Sequence, residues 1–222
     1  MHFEVPKAKT FKEFGGEYLM IVISILTALA LEQVVQTVHH RHLADEATQK
    51  IEAELRTNRK ELAEVLEHNE GDVRRIQKTG QELLQAILNK TSDDVLMRRF
   101  HAEWKPSVVL AIKVPTLRRE AWEAALANQA VTWMPSEKVE RYASAYANIR
   151  DVQLLSTGGS IGFLDGPRMR DTMSDVQMGT ATPRDMFRLL NQMLSAYSSI
   201  DGNLDGLQTV LGKAVGAGPA TH

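Results

Sequence analysis

The chain has 222 residues, a formal net charge of −2, 24% charged side chains and no cysteine. That balance lacks the basic footprint of a nucleic-acid-binding protein and any acidic tail, and without a thiol there is no cysteine nucleophile and no disulfide from which to read a redox compartment. Aromatics make up only 6% of a chain rich in Ala, Leu, Met, Glu and Gln, which predicts an all-α fold.

In chain order, residues 1–16 read as a short polar tail on the cytoplasmic side. Pro6 discourages an early helix, and Lys7 to Glu13 is expected to form a turn or two at the membrane surface. Residues 17–38 hold the feature around which the rest is organised. Tyr18 to Val38 carries eleven Leu, Ile and Val residues and one charge, Glu32. As a helix it reaches roughly 32 Å, against about 30 Å for a hydrocarbon core. On an insertion scale the eleven aliphatics supply about −3 to −6 kcal/mol, against at most roughly +3 for a Glu near the edge, so a transmembrane helix is expected.

Two rivals remain at this level. Ala28-Leu29-Ala30 has the small-x-small form of a signal-peptide cleavage site, although Glu4, Glu13 and Glu17 dilute the basic region before it. A buried core helix is the other rival, opposed by Phe11, Phe14 and Tyr18, which form an aromatic belt where an interface belongs. Lys7, Lys9 and Lys12 precede the segment while Arg41 and Lys50 follow it, a bias that puts the N-terminus inside and residues 39–215 outside the cytoplasm. In a Gram-negative bacterium that means an inner-membrane protein with a periplasmic helical domain.

After His39-His40-Arg41-His42 comes a long helical pattern. Leu43, Ala47, Ile51 and Leu55 recur every fourth residue; Leu55, Leu62, Asn69, Ile76 and Leu83 fall seven apart, with Leu66, Val73, Gly80 and Ile87 as a second stripe. This coiled-coil-like seam keeps phase through Asn69-Glu70-Gly71-Asp72, so one helix is expected from the membrane to about Asn89, with Gly71 as the place for a kink. Ser92, with Asp93 and Asp94, is expected to cap a short helix running to Trp104. Pro106 and Pro115 bracket Val108 to Ile112, compatible with an extended segment or a helical turn. Thr116 is expected to cap a helix carrying Leu117, Ala121, Trp122, Ala125 and Leu126 to about Asn128, and Ser136 another with Val139, Tyr142, Ala143, Tyr146 and Ile149 inward. From Ser156 to Gly179 a glycine-spaced connection is predicted, with Pro167 to Gln177 as a short helix. Thr182-Pro183 then opens a last long helix along Met186, Leu189, Leu190, Met193, Tyr197, Ile200, Leu204, Leu207, Leu211 and Val215. Residues 216–222 read as a flexible tail.

The combination of Gly16-Glu17, the apolar run ending Leu31-Glu32-Gln33, Glu54-Leu55 with Asn58, and Trp122 with Tyr146 resembles a group of uncharacterised bacterial single-pass membrane proteins. That resemblance implies an N-terminal anchor helix and a helical extracytoplasmic domain, and carries no activity with it. The chain departs from the group's pattern at Asn128-Gln129-Ala130, which stands where a small glycine turn is expected.

Chemistry-bearing constellations are sparse. His39 and His42, with Glu46, have a spacing that can hold a metal, but a basic and aromatic cluster at headgroup level is the commoner use and no metal or other cofactor is assigned. Ser24, Ala28, Glu32 and Gln36, each four apart, make a small and polar stripe suited to a partner helix. Gly158-Gly159-Ser160-Ile161-Gly162 lacks the preceding strand and following Lys of a phosphate loop. Asp165, Asp171 and Asp175 are scattered, and there is no serine elbow. Trp104, Trp122 and Trp133 fit core positions better than a shared ligand pocket. The leading expectation is a non-enzymatic accessory or scaffolding subunit that touches membrane lipid and other transmembrane helices, or further copies of itself, and no nucleic acid. The alternative is an extracytoplasmic helical sensor or ligand-binding bundle that signals through a partner.

Overall fold

The structure, a computed structural model, describes residues 11–104, 111–157 and 166–216. Among them every regular element is helical. The 78-residue helix α1, Phe11–Leu88, runs unbroken for roughly 117 Å at ~1.5 Å per residue. It passes through Gly71 without a break. Phe11 to Gly16 are already helical and continuous with the apolar segment. Pairs Glu46–Lys50, Glu52–Arg56, Lys60–Glu64 and Glu70–Arg74 line its solvent face at i,i+4, the spacing that brings side chains together on a helix surface. Lys90, at φ 56°, ends it: Thr91 N–H bonds the Ala86 carbonyl and Lys90 N–H the Ile87 carbonyl, a Schellman closure made without glycine.

Helix α2, Asp93–Arg99, continues as a wider π-turn over Phe100–Trp104. Ser92 has the extended backbone of an N-cap, yet its side chain makes no capping bond; its carbonyl instead accepts from Val95 and Leu96. Helix α3 spans Glu120–Ala127, a 3-10 turn Ala130–Trp133, α4 Ser136–Thr157, α5 Gly166–Met178 and α6 Pro183–Ala214. Thr182 and Asp185 form a reciprocal capping box at the start of α6, followed by Pro183 in the first turn, as the sequence signals. The Thr182 hydroxyl and backbone N–H, both donating to it, hold the Asp185 carboxyl below the usual range against a smaller opposing effect of burial.

Helices α1 and α6 are antiparallel. Arg59 lies against Gly212, Asn69 against Asp201, Asp72 against Tyr197 and Gly80 against Leu190, so one number falls as the other rises. Helix α4 lies parallel to α1 and joins it through Tyr142–Glu52 and Tyr146–Glu54 hydrogen bonds. Two apolar cores result. One gathers Ile51, Leu55, Leu62, Tyr142, Ile149, Leu204 and Leu211; the other, Ile76, Leu83, Phe100, Trp104, Met186, Leu190 and Met193. Between them lies a polar layer in which Asn69 donates to Asp201 at 2.8 Å and the Tyr197 hydroxyl donates to Asp72 at 3.0 Å.

The seam of α1 corrects the sequence reading in one respect. Leu55, Leu62, Asn69, Ile76 and Leu83 are buried as expected, but the second buried stripe is Asn58, Val65, Asp72 and Thr79, three residues after each, while Leu66, Val73 and Ile87 are only half-buried. Three of those four are polar, which hid them from a search for apolar periodicity.

The polar seam residues have an identifiable task. Residues 111–119 are not helical; they run as a strap along α1. Asn69 donates to the Lys113 carbonyl and accepts its N–H, and Asn58 does the same for Arg118, all at 2.9–3.1 Å. Eleven α1 residues at ~1.5 Å and five extended residues at ~3.3 Å both span about 16.5 Å, so the two asparagines match the strap's own repeat. Glu61 accepts from Thr116 N–H, Glu54 from Ala121 N–H, and Gln153 donates to the Leu117 carbonyl. This is why the expected helix start at Thr116 fails: the strap's backbone groups already have partners on α1 and α4, and α3 begins only at Glu120. Leu117 is buried from the strap, whereas Leu126 is exposed rather than inward-facing.

Candidate functional site

From Gly15 to Leu43 no residue of α1 is buried; the first is Ala44, where the bundle's core begins. The most apolar eighteen-residue window of this segment is entirely uncovered by the rest of the chain. Leu19, Ile21, Leu26, Leu31, Val34 and Val35 all stand exposed, Leu31 at 64%. A core helix of a water-soluble bundle would have these side chains packed, so that rival is set aside. Length and composition make this one helix a candidate membrane span.

The stripe Ser24, Ala28, Glu32, Gln36 lies on this uncovered segment. Ser24 Oγ donates to the Met20 carbonyl at 2.8 Å, and Gln36 Nε2 donates to Glu32 Oε1 at 3.1 Å. Thr27 and Thr37 bond back to Ile23 and Gln33 in the same way. The helix thus satisfies part of its own polar inventory, which lowers the cost of an apolar surrounding.

Below the first buried residue sits a collar. His39 and His42 are exposed, and Glu46 is held by Lys50 Nζ at 2.7 Å, which lowers its carboxyl below the usual range with a smaller contribution from His42. Among the described residues no three His, Cys, Asp or Glu side chains come together as a metal site. Within the collar His40, outside the metal-type spacing, tilts against His39 with ring centroids 6.0 Å apart. Its ring stacks on Trp133 with centroids 3.7 Å apart and planes within 9°.

The three tryptophans do not converge on a pocket. Trp104 is buried in the distal core, where its indole N–H donates to Glu82 and Arg99 covers its ring at 4.7 Å. Trp122 stacks on Tyr146 at 5.4 Å. Burial, reinforced by the hydroxyl's bond to Glu54, pushes the Tyr146 phenol far above its ordinary range. Gln129, in the turn where the sequence reading expects a small glycine, holds the left-handed conformation itself at φ 62°, with Asn128 Oδ1 accepting from Ala130 N–H. Asp171 and Asp175 are exposed on α5 and assemble no acid–base pair; Asp165 and Gly158 to Gly162 lie outside the described residues.

An open groove of about 900 Å³ runs between α1 and α6, with Leu66, Val73 and Leu194 along its floor and Glu67, Asp201 and Asp205 at its rim. Burial raises the Asp201 carboxyl above the aspartate range, against the opposing hydrogen bond from Asn69. Burial also lifts the Tyr197 hydroxyl to about 12, with Asp72 adding to it. No protein-family model, curated protein or solved structure matches this chain.

Proposed function

We propose that the protein is a non-enzymatic single-pass membrane subunit, inserted N-terminus inside, whose helical bundle stands outside the cytoplasm and whose membrane helix docks onto another transmembrane helix. The observation that carries this reading is the bare apolar segment. A run of this length left uncovered by its own bundle has to be covered by lipid, by protein, or by both. Lipid tails offer no hydrogen bonds to the Glu32–Gln36 pair, so that face is assigned to a partner helix, which is either a different membrane protein or a second copy.

A second reading keeps one observation on its side. The acid-rimmed groove between α1 and α6 is roomy enough for a ligand, and a cationic amphiphile would suit it, which favours an extracytoplasmic sensor bundle signalling through a partner.

The test is affinity purification in mild detergent with two faces of the helix altered in turn. Glu32→Leu and Ala28→Leu are expected to reduce recovery of the partner while leaving insertion intact, since a polar contact of this kind is worth only about 0.6–2 kcal/mol. Ile23→Ala and Leu26→Phe, on the other side, are expected to leave recovery unchanged. Equal losses on both faces, or none on either, would remove the docking role and leave the sensor bundle as the better reading.

A further inference from the structure

The fold carries an element that sequence order conceals. Ala121 N–H bonds Glu54, while Trp133 stacks on His40, so the chain from α3 through the 3-10 turn descends along α1 by fourteen α1 residues, roughly 21 Å. Helix α4 then turns back, meeting Glu52 through Tyr142. The turn through Met134 and Pro135 is therefore the end of the bundle nearest the apolar segment. His40 follows Val38, the last apolar residue of that segment, by two positions, about 3 Å along the axis. The stacked indole is set at that level.

Trp133 is 48% exposed there, whereas Trp104 is 4% exposed. One face of its indole is stacked on His40, and about half of the residue stays open. His39, Arg41 and His42 flank His40 along α1 with polar side chains and the Arg41 cation. His40 Nδ1 is enclosed without a hydrogen-bond partner. An indole has an apolar body and a donor tip, and the boundary between acyl chains and headgroups is where such rings are enriched.

We propose that Trp133, backed by His40, is a second membrane contact: it seats the proximal end of the bundle in the headgroup region of the lipid, so that the bundle is braced on the bilayer and not merely tethered by α1. This rests on the reading of Tyr18 to Val38 as a membrane helix. Lipid is the occupant chosen because the contact is continuous with that helix, lying within one turn of its end.

The full chain is reconstituted into phosphatidylcholine–phosphatidylglycerol vesicles whose acyl chains are brominated either near the headgroup or near the bilayer centre. The emission lost on Trp133→Phe isolates Trp133 without disturbing the two covered tryptophans. That emission is expected to be quenched at least about twofold more by shallow bromines than by deep ones. Leu29→Trp on the Trp133→Phe background reports on the membrane helix itself and is expected to favour deep bromines. Quenching of Leu29→Trp with Trp133 unquenched and open to aqueous iodide would overturn the brace and leave the membrane helix standing. Trp133 shielded from both bromine and iodide would overturn it in favour of a protein partner. If neither probe is quenched, the membrane helix fails along with the brace.

Discussion

At the scale of single residues, two asparagines decide how an irregular segment is held. Asn69 occupies a seam position whose neighbours one heptad away are Leu62 and Ile76, so packing alone would favour Leu there. Its amide, however, serves both backbone groups of Lys113 and the Asp201 carboxylate. Asn69→Leu is therefore expected to destabilise the bundle by about 2–3 kcal/mol in chemical denaturation, because partners are left without bonds. A gain in stability would show that the seam, not the strap, governs the position. Asp201 sets a pH dependence. Its folded-state carboxyl is raised by burial, so the folded chain holds a proton more tightly than the unfolded one. The stabilisation from this group is thus fully present below the unfolded value, near 4, and is lost as pH rises through the higher folded value. Asp201→Asn keeps an acceptor for Asn69 and removes the titration; melting temperatures between pH 4 and 7 are expected to fall less steeply with rising pH in the variant. Parallel profiles would contradict this.

At the scale of elements, α1 and α6 form the frame, and their facing leucines carry most of its cohesion. Leu62 and Leu204 are 0% and 1% exposed within one apolar core. Truncating either to Ala is expected to cost about 2–5 kcal/mol, read as a shift in denaturation midpoint at unchanged slope. A variant that unfolds at the wild-type midpoint would mean that its face is not core. These two helices were legible in the sequence because their signals are local: a heptad of Leu and Ile through Leu83, and a Thr-Pro-x-Asp cap before a continuous apolar stripe. The strap was not legible, since its backbone is satisfied by side chains 36 to 60 residues away, and no periodicity within residues 111–119 announces that. The available clue was the pair Asn58 and Asn69, eleven apart on one seam. Likewise α3 begins four residues after Thr116 because Glu61 had already taken the Thr116 N–H.

At the scale of the whole molecule, the described residues divide into a helical segment, Gly15 to Leu43, with no buried residue and a bundle with two cores separated by a polar layer. The apolar segment was visible from composition alone; its lack of cover required the fold, as did the placing of Trp133 at its end. The difference matters to function, since a covered helix would have been core and an uncovered one needs an environment. Because the chain has no cysteine, any single introduced cysteine is a unique reporter of that environment. The most direct measurement is labelling by a membrane-impermeant maleimide in Gram-negative cells whose outer membrane has been opened, comparing Leu29→Cys, at the middle of the segment, with Gln49→Cys, on the exposed side of the bundle. A membrane helix with the bundle outside is expected to leave Leu29→Cys unlabelled until detergent is added and to label Gln49→Cys at once. Labelling of Leu29→Cys without detergent, or of Gln49→Cys only after the inner membrane is broken, would contradict it.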